Sequence, residues 1–145
     1  MKKLFKVFAM VMIGVMAVAC SEKDEVNGSN KEFLGEWKLV KEVVRLEKNG
    51  EVSEKEAYEI PSMSYEFLKD GTGAVYHYDN SDNRVAEAPF TWSYKDGKLA
   101  IKTNDHTYPM EAEVAEITKD RMVLHFTEVY GDGTISTSIM TYEKI

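Results

Sequence analysis

The segment Phe90-Thr91-Trp92-Ser93-Tyr94 sets three rings on one side of an extended chain and two hydroxyls on the other. Strand side chains alternate between faces, so this pattern fits a half-buried strand and does not fit a helix. Met63-Ser64-Tyr65-Glu66-Phe67 repeats the arrangement, and Leu99-Ala100-Ile101-Lys102 and Met122-Val123-Leu124-His125-Phe126 continue it. Turn formers separate these segments: Asn49-Gly50, Lys69-Asp70-Gly71, Asn80 to Asn83, Lys95-Asp96-Gly97, Asn104-Asp105, Lys119-Asp120 and Gly131-Asp132-Gly133. Asn-Gly and Asp-Gly supply the positive φ that a tight hairpin needs. The spacing predicts eight strands, at about 34–47, 61–68, 72–79, 86–95, 98–104, 107–118, 121–130 and 134–144.

Helical periodicity is nearly absent. The exception is Val52 to Ile60, where Ser53-Glu54-Lys55-Glu56 is read as the start of a short helix that Pro61 would end. In the sixth strand, Tyr108, Met110, Ala112 and Val114 share one face, and Ala115 and Ile117 then break the phase. A bulge near Val114 reconciles them. Pro89 and Pro109 are placed near strand starts, where a missing donor does least harm. Consecutive antiparallel strands joined by short turns must hide their edges. An up-and-down barrel does so by closing on itself. The expected fold is therefore all-β, an eight-stranded antiparallel up-and-down barrel, with a two-sheet sandwich as competitor. Its inward face is assigned Trp37, Leu39, Met63, Tyr65, Phe67, Tyr76, Phe90, Trp92, Leu99, Ile101, Met110, Leu124, Phe126 and Ile139.

The amino terminus reads differently. Met-Lys-Lys-Leu-Phe-Lys is followed by a run without charge from Val7 to Ala19, ending in small residues. A basic head, a short apolar run and a small-residue end make a secretory signal peptide. A membrane span needs about 20 apolar residues, which neither this run nor any later one supplies. Ala17-Val18-Ala19 before Cys20 resembles a bacterial lipobox, although Ala17 stands where leucine is usual. Cys20 is the chain's one cysteine, so after export it would have no disulfide partner within the chain. Lipidation at Cys20 is the reading adopted, over cleavage to a free thiol. The expected organisation is a signal peptide at 1–19, a lipidated polar tether at 20–32 and a barrel domain at 33–145. Ser21-Glu22-Lys23-Asp24-Glu25 resembles an acidic export tag of surface lipoproteins, and equally fits a solvated linker. The expected location is a bacterial cell envelope, outer membrane or surface, with membrane contact through the lipid alone. The formal charge is −7, and losing Lys2, Lys3 and Lys6 with residues 1–19 makes it −10. That acidity disfavours nucleic acid as a partner.

Phe33-Leu34-Gly35-Glu36-Trp37-Lys38-Leu39, a Gly-x-Trp at the head of an eight-strand meander, resembles the start of lipocalins. The stretch from Phe33 to Ile145 is similar to bacterial lipocalin-like domains carried on lipoproteins. Matching segments are Tyr65-Glu66-Phe67-Leu68-Lys69-Asp70-Gly71-Thr72-Gly73, Phe90-Thr91-Trp92-Ser93, Lys98-Leu99-Ala100-Ile101 and Tyr142-Glu143-Lys144-Ile145. The Thr-Asp-Tyr triplet and tail disulfide of better-known lipocalins are missing. The resemblance implies a calycin-type barrel with its first connection, Lys48 to Ser62, as a lid over the mouth.

Independently of that resemblance, an indole at the first strand's entrance suits a barrel plug, with its N–H bonded to a carbonyl and Gly35 allowing close approach. Gly35 and Trp37 are assigned that role. The interior of eight strands is either filled or just able to hold one small molecule. Tyr65, Tyr76, Trp92 and Tyr108 are the candidates to line an open mouth for a small hydrophobic ligand. The alternative is a filled core, with recognition of an envelope protein or glycan, or inhibition of an enzyme, through the loops. His77 and His125 are placed facing solvent and His106 in a turn, and their spacing does not suggest a metal site. Asp79-Asn80-Ser81-Asp82-Asn83 lacks the Gly and Glu that a calcium loop requires at its sixth and twelfth positions. No catalytic motif or cofactor fingerprint is recognised, and the chain is read as non-catalytic.

Overall fold

Nine antiparallel strands form one sheet in the computed structural model, which describes residues 30–105 and 109–145. They are β1 (Gly35–Lys48), β2 (Glu51–Glu56), β3 (Met63–Phe67), β4 (Thr72–Tyr78), β5 (Arg84–Lys95), β6 (Lys98–Thr103), β7 (Met110–Ile117), β8 (Arg121–Val129) and β9 (Ile135–Lys144). From β3 to β9 each strand pairs with the next. The first strand then closes the ring by pairing with the last, from Trp37↔Lys144 to Glu47↔Ile135. Eight strands, β1 and β3 to β9, make the expected up-and-down barrel, and β2 stands outside it.

Strand β2 corrects the short helix expected within Val52 to Ile60, since the residues expected to start it, Ser53 to Glu56, are strand. It lies on β1 with a register from Val43↔Glu56 to Lys48↔Glu51. Asn49 and Gly50 both have positive φ, 52° and 80°, the turn whose twist matches an antiparallel pair. All six residues of β2 are exposed, so the turn and the backbone ladder make this strand rather than burial. Residues 51–56 consequently run beside β1.

The first strand also changes neighbours. It pairs with β3 only from Gly35 to Lys38, and with β2 from Val43 onward. One end of the barrel is therefore laced on both sides of β1, while the other is gapped between β1 and β3. A register shift between Val114 and Glu116 supplies the bulge expected near Val114 and keeps both Ala112 and Ile117 in phase with the interior. A second shift, between Leu39 and Lys41, lets Glu42 lie opposite Met140 on the inner side. Pro89 sits well inside β5 instead of near its start. It lies one residue before the β5–β6 ladder begins at Phe90↔Thr103, so that flank of the strand has no partner there.

The packed core gathers at the laced end, where the chain enters. Phe33, Trp37, Leu39, Phe67, Trp92, Leu99, Met122 and Tyr142 are all buried in one cluster. Fully burying an apolar side chain of this class contributes about 1.5–3 kcal/mol, so this layer is the main source of stability. Gly73 belongs to its design. A Cβ there would meet the Phe90 ring at 2.4 Å and the Glu66 carbonyl oxygen at 2.3 Å.

Candidate functional site

The two ends of the barrel interior differ in what the strands deliver to them. At the laced end, residues 30–34 make a single turn, with the Phe33 amide donating to the Asn30 carbonyl. That turn tucks the Phe33 ring against Phe67, Trp92 and Tyr94, with centroids 6.2, 5.8 and 4.9 Å away. The Trp37 indole N–H donates to the Phe33 carbonyl at 2.7 Å. Gly35 takes a φ of 111°, and the Lys144 ammonium lies 5.0 Å above the Trp37 ring. Here the interior is solid.

Trp92 belongs to this solid end, which corrects its expected place at an open mouth. It is buried, its ring meets Phe67 edge-on at 5.3 Å, and its N–H is shared between the carbonyls of Leu68 and Thr72 at 3.1 and 3.0 Å. A buried indole with its donor satisfied has nothing left to offer a guest.

Tyr76 is also misplaced by the sequence reading. Its neighbour Val75 is the core member of β4, paired with Tyr65 and Ala88, so alternation turns Tyr76 outward. There its hydroxyl donates to Glu66 at 2.6 Å and the Arg84 guanidinium stacks 3.7 Å over its ring. The bond to Glu66 pushes the Tyr76 phenol up to about 12. The same phase puts His77 on the inner side, paired with Met63 and Ala86, instead of facing solvent. Ile139 is likewise on the outer side, paired with His125 and Val43, because Met140 and Tyr142 hold the inner positions of β9.

Outside the barrel, Tyr76 joins a polar cluster that ties β1 to the β4–β5 hairpin. One Glu36 carboxylate oxygen accepts from the hydroxyls of Ser64 and Tyr78 at 2.5 Å each, and the other from Arg84 at 2.9 Å. Burial raises the Glu36 carboxyl, but the bonds from Ser64 and Tyr78 and the Arg84 charge together outweigh it and hold it below its usual range. Ser64 is completely buried, so this cluster is structural cement.

At the gapped end the interior is open. A pocket of about 390 Å³ is lined by Tyr65, Met110, Glu111, Phe126, Thr127, Glu128, Ser138 and Met140. It forms because the inward positions there are short or flexible. Ser136 and Ser138 precede Met140 on β9, and Ala86 and Ala88 hold the facing inner positions of β5. Tyr65 forms the floor, with its ring edge-on to Tyr142 at 5.8 Å and tilted against Phe90 at 5.9 Å. Burial raises the Tyr65 phenol, and its hydroxyl has no hydrogen-bond partner among the described residues. Below it, Tyr142 donates to the Met140 sulfur at 3.3 Å and is pushed well above its ordinary range by burial, then by Tyr65 and Glu42.

Of the four candidate ligand residues, the structure thus sets Tyr65 at the pocket, Trp92 in the plug and Tyr76 on the outer face of the sheet, buried beneath Arg84. Tyr108, like His106 and Cys20, lies outside the described residues. Met140, Ser138 and Glu128 were not singled out from sequence, although Met140 and Ser138 share the face of Tyr142 by simple alternation. A larger, shallower concavity of about 590 Å³ lies on the β1–β2 hairpin between Leu46, Ser53 and Thr134, next to the Lys48–Asp132 ion pair of 2.8 Å. Among the described residues no three His, Cys, Asp or Glu side chains are grouped to hold a metal, and no helix is long and apolar enough to cross a membrane.

Comparison with known proteins agrees with this architecture. A family described as the lipocalin-like domain matches residues 33–124. Among solved structures, apocrustacyanin C1 superposes with a TM-score of 0.52 at 10% identity, over 81% of this chain and 63% of that one. Lobster apocrustacyanin A1 gives a TM-score of 0.50 at 10% identity with the same coverage. The chain thus spans a little under two thirds of the length of either, and the likeness is one of fold. No curated protein matches the sequence.

Proposed function

The chain belongs to the lipocalin-like domain family, and on that premise we propose that it is a lipid-anchored envelope protein holding a small hydrophobic molecule in the open end of its barrel. Barrels of this family generally take such ligands. The observation that carries the reading is the unfilled end: about 390 Å³ beneath Met110, Phe126 and Met140, floored by Tyr65. That volume lies within the range of ordinary small-molecule sites, roughly 300–1,000 Å³, and Met110, Phe126 and Met140 give it apolar wall. Ligand binding here needs no chemistry beyond burial of apolar surface, worth about 25 cal/mol per Å² removed from water.

Anchoring rests on the sequence. Cys20 follows an apolar run and small residues, and acyl chains contribute about 0.8 kcal/mol per buried methylene, enough for stable attachment when two or more are present. Uptake of the neutral apolar fluorophore N-phenyl-1-naphthylamine tests the pocket. The unaltered protein takes it up, and Ser138→Trp, which fills the space, abolishes uptake without unfolding the barrel. Uptake that survives Ser138→Trp places the ligand elsewhere. Cys20→Ser, assayed by membrane fractionation in a lipoprotein-processing host, releases the protein to the soluble fraction; continued retention contradicts lipidation.

A second reading, recognition of a protein or glycan by the exposed hairpin, draws on β2. Its six residues are exposed, and it is the unpaired edge of the sheet. Deleting residues 51–56 discriminates, since fluorophore uptake then persists while any partner captured through the hairpin is lost.

A further inference from the structure

Charge at the open end is one-sided. None of the eight pocket-lining residues is basic, while Glu111 and Glu128 are both among them. Glu128 follows Phe126 at the spacing that shares its face, so its carboxylate belongs to the rim on the inner side. Glu42 adds a second carboxylate on that side, directly opposite Met140 and within electrostatic reach of Tyr142. The inward cation of β1 nearest this end, Lys48, is already paired with Asp132 at 2.8 Å. Among the described residues His77 also faces inward there, and Glu128 already accepts a hydrogen bond from the Tyr130 hydroxyl at 3.2 Å. The apolar walls are of a matching kind: Tyr65 and Phe126 supply aromatic rings, a class of side chain that attracts an ammonium, and Met110 and Met140 are soft and adaptable.

From this the geometry points to a ligand of one chemical class, an apolar or aromatic body bearing an ammonium group, with the body among Tyr65, Phe126 and Met140, the ammonium at the rim carboxylate of Glu128, and Glu42 adding negative potential from the level of Met140. A carboxylate-headed lipid is selected against, because its charge would lie beside these carboxylates with no basic residue among the described pocket-lining ones to receive it. This inference rests on the pocket reading above and adds the sign of the head group.

Three probes of equal chain length separate the two claims. Decylammonium, decanol and decanoate, each kept below its micelle concentration, compete with N-phenyl-1-naphthylamine for the purified protein. The expected order is decylammonium, then decanol, then decanoate, with the charged pair separated by about tenfold or more at low salt. Raising the ionic strength narrows that gap. Glu128→Gln and Glu42→Gln, both isosteric, shrink the ratio of decylammonium to decanoate affinity, and the double variant shrinks it furthest. Decanol displacing the fluorophore while decanoate binds as well as decylammonium overturns the cationic assignment and leaves the pocket standing. No uptake of fluorophore or decanol overturns both. A preference for decylammonium that survives the double variant also overturns the assignment, since the selectivity then lies in other residues.

Discussion

The two ends of this barrel are built from the same strands and behave as different materials. At the laced end β1 is held between β3 and β9, and the space is filled by Phe33, Trp37, Phe67, Trp92 and Met122. At the gapped end β1 has left β3 for β2, and the inner positions pass to Ser138, Met140, Ala86, Phe126 and Glu42. The difference lies less in hydrophobicity than in side-chain volume and in where the ladder closes. A chain of this length can concentrate its stability in one half and leave the other half free to bind, because burial at the laced end does not depend on what fills the other.

That contrast is open to attack from several sides. Trp37→Ala removes the central ring of the plug and its bond to Phe33, and is expected to cost about 3–5 kcal/mol in urea unfolding. A loss near zero would mean the plug is not what stabilises the barrel. Gly73→Ala comes next, at about 1–3 kcal/mol, because the new methyl must displace the Phe90 ring and the backbone at Glu66. Phe126→Ala at the open end is expected to cost less than either, about 1 kcal/mol in thermal unfolding, while weakening N-phenyl-1-naphthylamine uptake. If it destabilises as much as Trp37→Ala, the two ends are one core and the comparison fails.

The smallest expected effect is electrostatic. Asp132 is held down to about 2, by its bond from Lys48 and then by the Thr134 amide. A depressed carboxyl stabilises the folded state above its unfolded value of 3.8, and that contribution is lost as pH falls from there toward about 2. Lys48→Met should therefore lower stability slightly at neutral pH and flatten the acid limb of a stability–pH curve, the difference from the unaltered protein vanishing as pH falls toward about 2. Asp132 is fully exposed to solvent, so the effect is slight.

What the sequence disclosed follows the same division. The stripes Phe90-Trp92-Tyr94 and Tyr65-Phe67, the hairpin turns and the bulge beside Val114 were all legible, since large inward rings and positive-φ turns write a strong pattern. The open end was harder, because a cavity is lined by residues that a core rule assigns to the surface. Ser136 and Ser138 face in, so Ile139 was put on the wrong side. In β4 the larger ring of Tyr76 outweighed Val75, although Tyr76 is covered from outside by Arg84 and bonded to Glu66. Strand β2 has no apolar face to read, and its one sign was Asn49-Gly50, a turn that hairpins favour.

Methyl-labelled methionine NMR puts the half-filled barrel to the most direct trial, since Met110 and Met140 line the pocket and Met122 is fully buried at the plugged end. Titration with decanol should shift the methyl signals of Met110 and Met140 progressively while that of Met122 stays fixed. Movement of Met122 together with them, or no movement of Met110 and Met140 at saturating decanol, would contradict an interior solid at one end and open at the other.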